Sequence, residues 1–180
     1  MTQPSHLETP LWIFASAKWH QPGMQALLLL LQEQYGFRVN LLLLACWAGS
    51  QKKCFMPDAL LRIHTSTLHW HESTVKSLRA MRRGVAESDD NAGLRESLKK
   101  AEIDAEQLEL FQLYKICHES NFDTKLELEE GPATVHNLLA VFKITSSNFH
   151  LDLLVQLCCV AVDSLDEETA KEILRSIEAP

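Results

Sequence analysis

The sequence is poor in glycine and proline, with six of each among 180 residues, and only 7% of its residues are aromatic. Folds built from many short strands need frequent turn-forming residues, and disordered chains are rich in proline and charge. Hydrophobic residues make up 46% of the chain and charged residues 23%, the usual range for globular proteins. The composition therefore argues against a many-stranded fold and against disorder.

The chain also lacks the marks of a secreted protein. Its first ten residues, MTQPSHLETP, hold neither a basic segment nor an apolar run of signal-peptide length. The five cysteines are odd in number and form no Cys-x-x-Cys motif, and Cys46, Cys158 and Cys159 sit inside apolar runs. We therefore expect buried free thiols in a reducing, cytoplasmic environment.

No signature of catalysis or metal binding stands out. There is no Gly-x-Ser-x-Gly, no glycine-rich phosphate loop and no Asp-x-x-x-Asp pair. His64, His69 and His71 lie close in sequence, but none are four residues apart, the spacing that places two ligands on one helix face. We assign no catalytic residue, no metal ligand and no cofactor, and the question of an enzyme leans towards no.

Long hydrophobic runs are absent as well. Two apolar runs near the start, Ala26 to Leu31 and Leu41 to Ala48, are six and eight residues long, whereas a membrane-spanning helix needs about 20 apolar residues. Joining the two runs would bury Glu33 and Arg38 in lipid at a cost of several kcal/mol. No membrane span is expected. Because consecutive apolar residues go right round a helix, both runs should lie inside protein, at the centre of the core.

Helix signals occur along most of the chain. Thr9 and Pro10 start one helix, Pro22 and Gly36 bound a second, the apolar block ends near Gly49, and Pro57 opens a long pattern that breaks near His69. Further helices are predicted from Leu94 to Cys117, from Pro132, over FHLDLLVQLCCVAV, and after the capping-box spacing of Ser164 and Glu167. A short alternating stretch, KLELE, is too short and acidic for a convincing strand.

These signals predict an all-α fold, a compact bundle of seven to nine helices packed orthogonally or antiparallel, without a significant sheet. We expect a single helical domain over residues 1–180. Within it, residues 11–118 form the core, residues 119–131 a mobile link, and residues 132–178 a group of C-terminal helices packed on the core.

The strongest local charge pattern is a basic stripe formed by Lys76, Arg79, Arg82 and Arg83, which share one side of a helix. The next helix carries a row of glutamates, and a hairpin would bring Arg79 near Glu102 and Arg83 near Glu96. One interpretation is ion pairing between helices on a solvated face, which contributes about 0 to 1 kcal/mol per pair. The other is a site for an anion or an acidic partner, because guanidinium groups suit carboxylate and phosphate.

Tryptophans form the second set of candidates. Trp12, Trp19 and Trp47 lie on the helices that we place centrally, and Asn40 stands just before the apolar block. Rings in such positions usually fill core, with each indole N–H needing an acceptor. The alternative is that Trp12, Trp19, Asn40 and Trp47 line a ligand pocket.

The motifs LWIFA, PG, LQ, GFRVNLLL, W and LRAMRR resemble a family of uncharacterised bacterial helical proteins that is known only as a domain of unknown function. The residues that carry the resemblance are Leu11, Trp12, Phe14, Ala15, Pro22, Gly23, Leu31, Gln32, Gly36, Val39, Asn40, Leu41 to Leu43, Trp47, Leu78, Arg79, Arg82 and Arg83. The match is specific over residues 11–49 and moderate to residue 118. Where that family often has an acid before Val-Asn, this chain has Arg38. The resemblance implies an all-helical cytoplasmic protein and no known reaction.

Three functional hypotheses follow. The first is a non-catalytic interaction or accessory protein with an unknown protein partner. The second is a binder of a small anionic ligand, or an enzyme acting on it, using a pocket near Trp12, Trp19, Asn40 and Trp47 with the basic stripe beside it. Binding of nucleic acid is the least favoured, because the formal net charge is −7.

Overall fold

The computed structural model describes residues 6–119, 128–145 and 150–178. Over these ranges the chain is helical, without a strand, and the all-α prediction is confirmed. The helices are α1 (Pro10–Trp19), α2 (Met24–Tyr35), α3 (Val39–Ser50), α4 (Pro57–Trp70), α5 (Lys76–Gly84), α6 (Ala92–Glu119), α7 (Glu130–Thr145), α8 (Leu151–Ala161) and α9 (Glu167–Glu178). None of the described helices is long and apolar enough to cross a membrane.

Helix α3 is the centre of the core. Every residue from Asn40 to Gly49 is buried, and the four leucines from Leu41 to Leu44 are at most 4% exposed. Its most extensive contact is with α7, which approaches so closely that a Cβ atom on Gly49 would lie 2.1 Å from Thr134 Oγ1. The prediction that this leucine block fills the core is confirmed.

Helix α2 differs from its prediction in one respect. Leu27, Leu28 and Leu31 are buried, but Ala26 in the same apolar run is exposed. The reason is that α2 lies at the edge of the bundle, where it packs on α8, α3 and α1 with one side and faces solvent with the other. The first apolar run therefore forms an amphipathic helix and is not enclosed on all sides.

The helix ends follow the local signals in most places. Thr9 Oγ1 accepts a hydrogen bond of 3.2 Å from the Trp12 backbone N–H and caps α1, as predicted. Gly36 ends α2 in the left-handed conformation, with φ of 71°, also as predicted. Helix α2 starts only at Met24, because Gly23 has a φ of 83° and cannot be part of it.

The long helix after Pro57 does not break at His69. It continues from α4 into α5 through one π-helical turn, His71–Val75. In a π turn the backbone hydrogen bonds join residues that are five apart, and such turns are frequent at functional sites. The turn joins the apolar face of α4 to the basic stripe on α5, and both segments pack against α6.

Helix α6 is buried mainly in its second half. Leu110, Leu113 and Cys117 belong to the core, whereas Leu94 is 54% exposed. The predicted apolar stripe from Leu94 to Leu108 is therefore wrong at its start, because only the C-terminal turns of α6 reach the main core. The first turns pack against α5 and form one side of the functional site described below.

The C-terminal helices α7, α8 and α9 pack on one another, and α7 also packs on α3 and α4. Helix α9 is capped by Asp166, whose Oδ1 accepts a hydrogen bond of 2.8 Å from the Thr169 backbone N–H, and not by the predicted Ser164. Helix α7 begins at Glu130, two residues before Pro132. Most of the predicted link 119–131, and most of the KLELE stretch, lies outside the described residues.

Candidate functional site

A cleft of about 1220 Å³ lies between α1, α2 and the start of α3 on one side and α5 and α6 on the other. We call it the central cleft. Its lining includes Trp12, Trp19 and Asn40 from the first group of helices and three members of the basic stripe, Arg79, Arg82 and Arg83. The structure thus brings six of the eight predicted site residues to one cavity.

The tryptophan wall is formed by α1, which is held in place from its buried side. Leu11 and Ala15 are buried in the core, and Lys18 Nζ donates a hydrogen bond of 2.7 Å to the Ala161 carbonyl oxygen at the end of α8. Trp12 and Trp19 lie beside this buried face of α1 and are partly exposed. Their rings therefore border the central cleft.

The opposite wall is an ion-pair network between α5 and α6. Arg79 Nε lies 2.8 Å from Glu102 Oε1, and Arg79 Nη2 lies 2.6 Å from Glu106 Oε1. Arg82 Nε lies 2.6 Å from Glu102 Oε2. The predicted pairing of Arg79 with Glu102 is confirmed. The network is partly buried, since Glu102 is only 8% exposed, and it does not lie on the fully solvated face that one interpretation supposed.

Burial and ion pairing together shift the pKa of Glu102 and that of Glu106 in opposite directions. At Glu102, burial alone would raise the pKa, but hydrogen bonds from Arg82 and Arg79 outweigh it and lower the pKa. At Glu106, burial raises the pKa although Arg79 acts against it. Glu102 therefore stays ionised and fixes two arginines, while Glu106 takes up a proton more readily than an ordinary glutamate.

Arg83 crosses the cleft to the other group of helices. Its Nη2 atom donates to Glu33 Oε1 on α2, and both side chains are about half exposed. The expected pairing of Arg83 with Glu96 is wrong, because Arg83 lies near the end of α5 and points towards α2. Arg95 closes the same end, donating from Nη1 to the Val85 carbonyl oxygen at 2.5 Å and from Nη2 to Glu87 Oε1 at 2.6 Å.

Several hydrogen-bond donors on the cleft walls have no protein acceptor. Among the described residues, nothing accepts from the Nη1 groups of Arg79 and Arg82 or from the indole N–H groups of Trp12 and Trp19. Lys99, which also lines the cleft, makes no ion pair within the described part of the chain. The carboxylates of the cleft, in contrast, all accept hydrogen bonds from arginines.

Asn40 connects the central cleft to a buried ionic cluster. Its Nδ2 atom donates to Glu109 Oε2 at 2.7 Å and to the Glu106 carbonyl oxygen at 3.2 Å. Glu109 is completely buried and also accepts from Arg38 Nη2, and His71 Nδ1 lies 3.1 Å from Glu109 Oε1. Asn40 therefore holds α3 against α6 at the base of the cleft.

The buried cluster satisfies most but not all of its polar atoms. Arg38 Nη2 donates to Thr67 Oγ1 at 2.8 Å, and Arg38 Nη1 donates to the His64 carbonyl oxygen at 3.0 Å. Arg38 Nε is buried without a partner among the described residues. Burial by itself would raise the pKa of Glu109, but the hydrogen bond from His71 and the positive charge of Arg38 lower it.

The two remaining predicted site residues lie elsewhere. Trp47 is buried, and its ring centroid lies 5.6 Å from that of Tyr114. Lys76 is exposed and its Nζ lies 2.7 Å from Glu72 Oε2, one helical turn away. Trp47 is thus part of the core, as one interpretation of the tryptophans expected, and Lys76 does not line the central cleft.

Sequence reasoning missed the buried cluster around Arg38, His71 and Glu109. The signal available was a charged residue next to apolar neighbours, since Arg38 stands between Phe37 and Val39, and Glu109 between Leu108 and Leu110. Glu109 instead seemed part of an exposed acidic row with Glu102. Within the described residues no group of three metal-ligating side chains comes together.

Comparison with known proteins adds a family. The sequence model of the family described as Protein of unknown function (DUF2390) matches residues 10–113, a range that contains every residue lining the central cleft. No curated protein and no solved structure matches the chain. Because the family match covers more than half of the 180 residues, the chain belongs to this family of proteins of unknown function.

Proposed function

We propose that the protein is a non-catalytic binding protein and that the central cleft receives an anionic ligand. The observation that carries the proposal is the surplus of donors on the cleft walls that find no acceptor among the residues that the structure describes: two guanidinium Nη1 groups, two indole N–H groups and the ammonium group of Lys99. Donors that the protein leaves without acceptors suit a ligand that brings acceptors of its own.

The carboxylates support binding without chemistry. Glu33, Glu87, Glu102 and Glu106 line the cleft, and each of them pairs with an arginine. A carboxylate engaged in this way positions its arginine, because its paired oxygen is held by the guanidinium group. At Glu102 the arginines also lower the pKa, whereas at Glu106 burial raises the pKa in spite of the partner Arg79. The arginines, in turn, are oriented before a ligand arrives, which lowers the entropic cost of binding.

The location that we propose is the cytoplasm. None of the five cysteines forms a disulfide, and four of them are buried. Burial raises the pKa of the Cys46 and Cys117 thiols to about 12, so that they stay protonated and unreactive. This use of cysteine as a small apolar residue fits a reducing compartment.

An acidic segment of a partner protein is the second candidate occupant. The volume of about 1220 Å³ exceeds the roughly 300 to 1000 Å³ of most small-molecule pockets, which leaves room for a peptide. This version corresponds to the interaction protein that the sequence also predicts. It requires binding of an acidic peptide that depends on the same cleft residues.

The test is a titration with the fluorescent anion anilinonaphthalene sulfonate, comparing the wild type with Lys99→Gln and Lys100→Gln. The two lysines are neighbours on α6 and both are exposed, but only Lys99 lines the cleft. We expect Lys99→Gln to weaken binding severalfold and Lys100→Gln to leave it unchanged. Equal affinity in all three proteins, at unchanged melting temperature, would contradict an anion site in the cleft.

A further inference from the structure

We infer that the ligand of the central cleft is an aromatic carboxylate that carries a single negative charge. This inference rests on the proposed function, since it specifies the anion that the cleft binds. It follows from three properties of the cleft walls, as far as the described residues form them: two tryptophan rings without aromatic partners, two guanidinium groups that each have an Nη1 atom without an acceptor, and an excess of a single positive charge.

The rings of Trp12 and Trp19 are available to a ligand. Within the described ranges neither ring packs against another aromatic ring, and neither indole N–H has an acceptor. The other two tryptophans differ, because Trp47 packs on Tyr114 and Trp70 donates from Nε1 to the Ala105 carbonyl oxygen at 3.1 Å. Both rings pack against the core with part of their surface, and both are partly exposed and line the cleft. Two partly exposed indoles on one wall suit a flat aromatic ligand, which stacks on an indole with a favourable energy of its own.

The arginines of the facing wall suit a carboxylate. Glu102 holds Nε of both Arg79 and Arg82, and Glu106 holds Nη2 of Arg79, so each guanidinium plane is fixed by the protein. The Nη1 group of each arginine remains without an acceptor in the described part of the structure. Guanidinium N–H groups fixed in this way bind the oxygens of a carboxylate through short, charge-assisted hydrogen bonds.

The charges of the cleft fit one negative charge better than two. Five cationic side chains line it against four carboxylates. All four carboxylates are ion-paired, and Lys99 is the cation that pairs with none of the described residues. A singly charged head group balances this excess. A phosphate monoester, with nearly two charges, would face repulsion from Glu102 and Glu106 without a further free cation.

The lining of the central cleft also includes apolar side chains. Leu29 and Leu43 contribute aliphatic surface beside the tryptophans, and Ile103 and Leu110 contribute it on α6. A ligand with an apolar ring system can therefore bury its rings on the α1 side while its carboxylate meets α5 and α6. An ion without an apolar part would leave this surface hydrated and lose the hydrophobic contribution to binding.

Calorimetric titration with four matched probes tests the inference. The probes are naphthoate, its neutral amide, cyclohexanecarboxylate, which lacks the aromatic ring, and naphthyl phosphate, which carries the second charge. We expect naphthoate to bind about tenfold more tightly than each of the other three, a difference of about 1.4 kcal/mol, because each of them differs from it in the aromatic ring or in the charge.

Two pairs of variants test whether naphthoate binds in the central cleft. Trp12→Leu should weaken naphthoate binding by about tenfold and leave cyclohexanecarboxylate nearly unaffected. Phe14→Leu, on the same helix but outside the cleft lining, should change neither. Lys99→Gln should weaken both carboxylates and Lys100→Gln neither. Thermal unfolding of each variant verifies that it is folded. If Trp12→Leu does not fold, Lys99→Gln still tests the location of the site, because this substitution is exposed and breaks no contact.

The outcomes separate this inference from the proposed function. Equal binding of naphthoate and cyclohexanecarboxylate would overturn the aromatic ligand, and tighter binding of naphthyl phosphate would overturn the single charge, while an anion site remains in both cases. Equal binding of naphthoate and its amide would overturn the inference and the proposed function together. Absence of naphthoate binding overturns the inference alone if anilinonaphthalene sulfonate still binds in a manner dependent on Lys99.

Discussion

At the scale of single residues, Glu109 lies in tightly constrained surroundings. It is completely buried and accepts hydrogen bonds from Arg38 and Asn40 at the start of α3 and from His71 in the π turn after α4. A carboxylate in such a position holds its neighbours in place, because each of them would otherwise be a buried polar group without a partner. The central cleft depends on it indirectly, through Asn40 at its base.

We expect Glu109→Gln to lower the free energy of unfolding by about 3 to 5 kcal/mol, because it leaves the Arg38 charge buried and unpaired. Urea unfolding followed by circular dichroism measures the change. Glu72→Gln is the control, since it removes a glutamate from an exposed pair with Lys76 and should cost about 0.5 kcal/mol or less. Similar losses in the two variants would show that the buried cluster contributes little to stability.

Glu109 also makes the stability of the fold depend on pH. The pKa of Glu109 in the folded protein lies below its ordinary 4.5, so ionised Glu109 stabilises the fold above that pH. The contribution is lost as the pH falls through the lowered pKa. We expect the difference in unfolding free energy between the wild type and Glu109→Gln to be constant at neutral pH and to shrink below about pH 4. A difference that stays constant down to pH 3 would contradict the lowered pKa.

At the scale of helices, α3 and α7 pack closely against each other at Gly49. We expect Gly49→Ala to destabilise the protein by about 1 to 3 kcal/mol, because the new Cβ would lie 2.1 Å from Thr134 Oγ1 and 2.6 Å from Thr134 Cα. Gly93→Ala on α6 meets no atom within 4 Å and should be neutral or stabilising. Thermal unfolding compares them, and equal melting temperatures would contradict the close contact.

Helix ends provide a second test. Asp166→Ala should lower the free energy of unfolding by about 1 kcal/mol, because the Thr169 backbone N–H loses its acceptor. Ser164→Ala should have almost no effect, although Ser164 has the capping-box spacing. Chemical unfolding of both variants decides between the two caps, and a larger loss for Ser164→Ala would reverse the assignment.

The start of α9 also illustrates what a sequence can and cannot predict. Strong local signals such as Thr9 before Pro10, or Gly36, act through neighbouring backbone atoms and predict helix ends correctly. At α9 two capping residues, Ser164 and Asp166, stand close together, and the choice between them depends on how Leu165 packs into the core. Tertiary contacts decide which of the two residues caps the helix, and the hydrophobic periodicity of the sequence does not predict it.

At the scale of the whole molecule, the sequence predicted which residues line the cleft better than it predicted their partners. Trp12, Trp19 and the arginines of α5 were recognisable by type and spacing, but the pairing of Arg83 with Glu33 depends on where α2 lies relative to α5. Arg38 resembles a surface residue in sequence and is 4% exposed in the structure. Long-range contacts of this kind need the packing of the whole bundle.

The π turn between α4 and α5 has a consequence for chain-length changes. It accommodates one more residue than a regular turn, so a deletion of Ser73 would leave a continuous α-helix with Arg79 still facing α6. A deletion of Ser66 within α4 would instead rotate every later side chain by about 100° around the helix axis. Of the two shortened proteins, we expect only the first to keep its native heat stability, because the spare residue lies in the wide turn.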